Sequence, residues 1–84
     1  MIDNIFKLWQ ENGTKEIMVT RSSHWGKGNW CIVNKCVCSP PNDKGDIYGT
    51  AIGHIHYANG NTSNGKIPNA GCSGWTLIKV LDEK

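Results

Sequence analysis

Trp30-Cys31-Ile32-Val33-Asn34-Lys35-Cys36-Val37-Cys38 is the stretch whose reading decides the fold. It is dense in aromatic, β-branched and small apolar residues and has no helical period, so a strand is predicted over residues 29–38. Side chains alternate across a strand with period two. One face then carries Trp30, Ile32, Asn34, Cys36 and Cys38, and the other Cys31, Val33, Lys35 and Val37. Both faces are partly apolar, so both need cover.

The next apolar segment, residues 46–58, reads the same way. Ile47, Gly49, Ala51, Gly53, Ile55 and Tyr57 fall on one face, and Tyr48, Thr50, Ile52, His54 and His56 on the other. The small residues at 49, 51 and 53 have two explanations. They form a trough on which the ring of Trp30 or Trp75 lies, or they are bulges that let the strand coil. Between the two strands, Ser39-Pro40-Pro41-Asn42-Asp43-Lys44-Gly45 has turn chemistry.

Working outward, residues 15–21 (Lys-Glu-Ile-Met-Val-Thr-Arg) and 74–81 (Gly-Trp-Thr-Leu-Ile-Lys-Val-Leu) are two further strands. Residues 59–66 are polar with two Asn-Gly steps, a hairpin tip or a loop. Near the start, Ile5, Leu8 and Trp9 share one face at helical spacing, with Asp3 or Asn4 as N-cap and Asn12-Gly13 as stop. That predicts one short helix over residues 3–10, which must dock to be stable.

The predicted architecture is α+β: a short N-terminal helix on a strongly curled four-stranded antiparallel sheet. A meander is the simplest strand order. Two-faced strands suit either a small SH3-like barrel or a flatter sheet covered by the helix and a second subunit, so a homodimer is expected. With 84 residues the chain is read as a single domain, residues 1–84, with a small core. Four Trp are available to fill it, and Trp30 is assigned there.

Nine basic and seven acidic residues are scattered, giving +2, without the basic stripe of a nucleic-acid-binding domain. No apolar run approaches the roughly 20 residues that span a bilayer. The opening residues lack a basic segment and an apolar stretch typical of a secretion signal. A cytoplasmic location is expected, with the four cysteines as thiols or metal ligands.

Four constellations carry possible chemistry. Cys36-x-Cys38 and His54-x-His56 each put two ligands on one side of a strand. If the strands pair in the right register, these four make a tetrahedral zinc set. In a tight hairpin, however, the histidines fall opposite the early part of the preceding strand, and thiols are also good core residues. Cys31 and Cys72 are the best placed for a disulfide. Cys72, in Ala70-Gly-Cys-Ser-Gly-Trp75, sits in a turn that can expose a thiol, with His24, His54 or His56 as a base, yet no protease signature surrounds it. Lastly, Arg21-Ser-Ser-His-Trp-Gly-Lys-Gly-Asn-Trp30 mixes aromatic and basic residues with glycine. It is the best candidate contact surface, through Arg21, His24, Trp25 and Lys27.

Trp25-Gly26, Asn29-Trp30, Tyr48-Gly49, Gly71 and Gly74-Trp75, spread over residues 21–80, resemble small proteins carried on bacterial mobile gene cassettes of the integron type. They also resemble small phage-encoded inhibitors of host systems. The resemblance is one of style and carries over no site residue. It implies a compact, dimeric protein of variable activity. The expected function is thus a small binding protein, without catalysis, acting through the Trp/Arg-rich loop. The alternatives are a zinc-binding protein or thiol-dependent enzyme at Cys36, Cys38, His54 and His56, and a barrel that binds single-stranded nucleic acid.

Overall fold

The computed structural model describes residues 4–21 and 28–81. In chain order these form α1 (Ile5–Glu11), β1 (Ile17–Thr20), β2 (Trp30–Cys38), β3 (Gly49–His56), β4 (Thr62–Lys66) and β5 (Thr76–Val80). The class is α+β, with one short helix and an antiparallel sheet of five strands. The helix begins at Ile5, later than the expected residue 3, and of the two expected caps Asn4 is the N-cap, its Oδ1 accepting from the Lys7 amide at 3.0 Å. The buried Asn4 Nδ2 also donates to the Ile47 carbonyl at 2.7 Å, tying the helix to the loop before β3.

The sheet order is β4-β3-β2-β1-β5. It departs from a four-strand meander in two ways. Residues 62–66 are a strand, although Thr-Ser-Asn-Gly-Lys holds no apolar residue and all five are exposed. Backbone pairing with β3, fed by the turn at Gly60 (φ +93°), makes that strand. The last strand crosses to the far edge and pairs with β1, from Ile17 facing Val80 to Thr20 facing Thr76. Among the described residues β4 and β5 are the two edges, so the sheet is open and no closed barrel forms.

One face is packed. Ile17, Val19, Cys31, Val33, Ala51 and Ile55 project from it and meet Ile5 and Phe6 of α1, with Ile47, Ile67, Ala70 and Trp75 from the two long connections. Trp75 is buried and donates its Nε1 to the Asn69 carbonyl at 2.9 Å. Burying each large side chain here is worth about 1.5–3 kcal/mol.

A bulge in β2 reorganises the expected faces. Val33 faces Gly53, but Lys35 faces Ile52, so Asn34 is an extra residue. A one-residue insertion flips every side chain beyond it. Cys31 and Val33 face the core before the bulge, and Cys36 and Cys38 join them after it. Gly53 is explained at the same place. A Cβ on Gly53 would be driven into the Ile32 carbonyl oxygen, and one on Gly49 into that of Val37. The glycines let the backbone of β2 press onto β3. They are neither a trough for a Trp ring nor bulges of their own strand.

Candidate functional site

The second face of the sheet is the candidate site. The sole helix of the described residues and both long connections lie on the packed face. Register fixes what the other face displays. Across the middle run Lys79, Met18, Ile32, His54 and Asn64. Beside that row run Trp30, His56 and Thr62 on one side, and Lys35, Ile52 and Lys66 on the other. Val37 and Thr50 follow, and Val37 is 65% exposed. The result is an apolar centre of Met18, Trp30, Ile32 and Ile52, with three lysines at its margin. Glu16, the acid next to it, accepts from Asn34 Nδ2 at 3.1 Å.

Trp30 and His56 are a cross-strand pair with stacked rings, centroids 4.5 Å apart and planes within 5°. Trp30, expected in the core, therefore stands on the open face. His56 Nδ1 is shielded from solvent and has no hydrogen-bond partner among the described residues. Such a pair contributes about 0.5–1.5 kcal/mol beyond the area it buries.

The expected four-ligand zinc set does not assemble. His54 and His56 lie on the open face, while Cys36 and Cys38 pack against the core, because the bulge at Asn34 turned the thiols over. Among the described residues no three His, Cys, Asp or Glu side chains gather as metal ligands do. All four cysteines are free thiols, so Cys31 and Cys72 are not bridged. Cys72 is exposed in the turn closed by its amide on the Asn69 carbonyl, on the helix side of the sheet, away from His54 and His56.

The two clipped thiols interact. Cys36 and Cys38 are hydrogen-bonded to each other, and the Gln10 side chain of α1 bonds Cys38. Burial, reinforced by Cys38, pushes the Cys36 thiol up to about 12. Burial also raises Cys38, but the bonds from Cys36 and Gln10 pull it partly back. Cys31, wholly buried, is pushed up to about 12 by burial alone.

Of the predicted contact residues, His24, Trp25 and Lys27 lie outside the described residues. Arg21 is described and turns inward: it is buried, and its Nε donates to the Ser73 carbonyl at 2.9 Å. It fastens β1 to the connection before β5 and is not a free surface cation. The polar 59–66 segment splits into the β3–β4 tip and β4. A shallow concavity at that tip is lined by Tyr57, Asn59, Gly60, Asn61 and Thr62, none of them charged. Sequence reasoning missed Met18, Ile52, Lys35, Lys66 and Lys79 as neighbours of Trp30. Alternation placed Ile52 with the histidines, but the strand order that adds Met18 and the lysines has no local signal. No helix of the described residues is long and apolar enough to cross a membrane. No protein family, curated protein or solved structure matches this chain.

Proposed function

We propose that this chain is a small cytoplasmic binding protein that engages a partner protein through the open face of its sheet. The observation that carries this is a half-buried apolar centre, Met18, Trp30, Ile32 and Ile52, with no helix or long connection over it among the described residues and with Lys35, Lys66 and Lys79 at its rim. The rim selects a partner patch that is apolar in the middle and acidic at its edge. Five strands about 4.8 Å apart and about six residues long make a face of roughly 500 Å². That is the scale of a weak or transient interface. The Trp-rich segment ends at Trp30 on this face, so it remains part of the reading. The chain takes its place on this reading beside the integron-cassette proteins its Gly/Trp pattern resembles.

The test is a photo-crosslinking residue at Ile32, with a second at Tyr48 on the helix side as control. Adducts from position 32 that disappear in a folded Trp30→Ala/Ile52→Ser protein support the reading. Adducts from position 48 alone, or binding untouched by the double substitution, reject it.

The homodimer has a different surface in its favour. Strand β5, an edge of the sheet among the described residues, exposes Ile78 (48%) and Val80 (38%), and its outer side suits pairing with a second β5. A monomeric mass at high concentration would discard that arrangement. Single-stranded nucleic acid is less favoured, because the stacked faces of Trp30 and His56 are used on each other and not left for bases.

A further inference from the structure

We propose that Arg21 anchors a small carboxylate-binding site between the end of β1 and the turn that precedes β5, a role separate from partner binding on the open face. Alternation along the strand carries Arg21, after Ile17 and Val19, to the packed side of the sheet. It is 9% exposed there, and its Nε donates to the Ser73 carbonyl at 2.9 Å. A guanidinium holds five N–H donors in a planar fork. The Ser73 bond uses one, and the others have no partner among the described residues. Nor does a carboxylate of those residues pair with the charge: the ion pair they hold joins Lys7 to Glu11.

Burying a cation without a counter-charge is costly, so a buried arginine held by one neutral carbonyl is an incomplete arrangement. Its free end is reachable. Among the described residues, the shielded side-chain nitrogens without a partner belong to Trp9 and His56 and not to Arg21, so the Nη edge of Arg21 meets solvent. The turn that holds Arg21 runs through Gly71, Cys72, Ser73 and Gly74, and Cys72 and Ser73 are exposed on it. The amides of Ser73 and Gly74 form no backbone hydrogen bond among the described residues. They lie within one residue of the carbonyl that Arg21 holds.

The fork selects the ligand. With Nε engaged, the side edge of the guanidinium is half used, while the edge formed by Nη1 and Nη2 is whole. Two parallel N–H groups match the two oxygens of a carboxylate. One positive charge beside uncharged Ser73 and Gly74 balances one carboxylate, whereas a phosphate dianion would keep an uncompensated charge. The ligand is therefore a small organic carboxylate.

The experiment is NMR on the full chain labelled with ¹⁵N. The Arg21 side-chain N–H signals are followed as sodium acetate replaces sodium chloride at constant ionic strength. Saturable shifts at Arg21 and at the Ser73 and Gly74 amides, with a dissociation constant in the millimolar range, are expected. The melting temperature should rise by about 2–3 °C when acetate equals that constant. Arg21→Lys keeps the charge but loses the fork, and should weaken acetate binding about tenfold or more. Circular dichroism shows whether that variant folds; if it does not, the titration of the unaltered chain decides alone. Shifts on the lysines with Arg21 silent, no saturation at Arg21, phosphate bound more tightly than acetate, or a folded Arg21→Lys that binds acetate unchanged would each overturn the proposal.

Discussion

Gly53 and Ile32 approach so closely that any side chain at position 53 would collide with the Ile32 carbonyl oxygen. The contact is backbone against backbone in the middle of the sheet, where neither strand can move alone. Gly53→Ala should therefore destabilise the protein by about 1–3 kcal/mol, the usual cost of overpacking. Thr50→Ala, one turn of the pleat away on the open face, should cost far less. Urea denaturation of both variants decides it, and equal midpoints would show that β2 can back away.

The extra residue at Asn34 makes a prediction of its own. With it removed, the pairs Val33–Gly53 and Lys35–Ile52 become consecutive, so Cys36 and Cys38 keep the core face and Lys35 and Val37 the open one. Deleting Asn34 should therefore preserve the fold at a cost of about 1–2 kcal/mol, the Glu16 hydrogen bond and the local twist being lost. A deletion variant that fails to fold, by circular dichroism, would mean that the bulge itself is required.

Asn4 serves the helix and the loop at once, capping α1 through Oδ1 and holding the Ile47 carbonyl through Nδ2. Asn4→Ala loses a cap worth about 1 kcal/mol and leaves a buried carbonyl unsatisfied at about 1–3 kcal/mol more. Asn4→Asp keeps the cap but sets a buried carboxylate oxygen against the Ile47 carbonyl, so it should cost at least as much as Asn4→Ala. If Asn4→Asp melts with the wild type, the Ile47 bond contributes nothing.

The buried thiols make stability fall in alkali. Cys31 and Cys36 ionise near 9.0 in the unfolded chain but only near 12 in the folded one. Between those values the unfolded state holds fewer protons than the folded state, so stability declines as pH rises through this window and is unaffected by these groups below it. Cys31→Ala should cost about 1–2 kcal/mol at neutral pH and make the alkaline decline shallower. An unchanged slope in denaturation curves from pH 8.5 to 11 would show that Cys31 does not contribute to it.

Much of this fold can be read from the chain. The helix and its Asn4 cap, the three strands with β-branched residues and the last strand, read over 74–81 and found at Thr76–Val80, are local facts, and local sequence carries them. What could not be read depends on distant partners. β4 has no apolar residue to announce it and exists because β3 offers an edge. β5 lands beside β1 because the connection carrying Ala70 and Trp75 crosses under the sheet. The candidate zinc set fails for two reasons: the hairpin register sets His54 and His56 opposite Ile32 and Trp30, far along the ladder from Cys36 and Cys38, and the bulge at Asn34, which nothing in Val33-Asn34-Lys35 marks, turns the thiols to the other face. The open face was half legible, since Ile52, His54 and His56 alternate correctly, whereas Trp30 was placed inside on the strength of its size.

The crossing of the chain to β1 also has a consequence in time. Arg21 and Ser73, which lock that crossing, are 52 positions apart, and the β1–β5 ladder spans a comparable separation. During synthesis β1, β2 and β3 emerge and can pair while the outer edge of β1 is still bare. The ladder that covers it must wait for the closing segment to leave the ribosome. Closure of so long a loop places folding in the millisecond-to-second regime of non-local sheets. For that interval the nascent chain presents the uncovered strand Ile17–Thr20 to whatever extended peptide it meets.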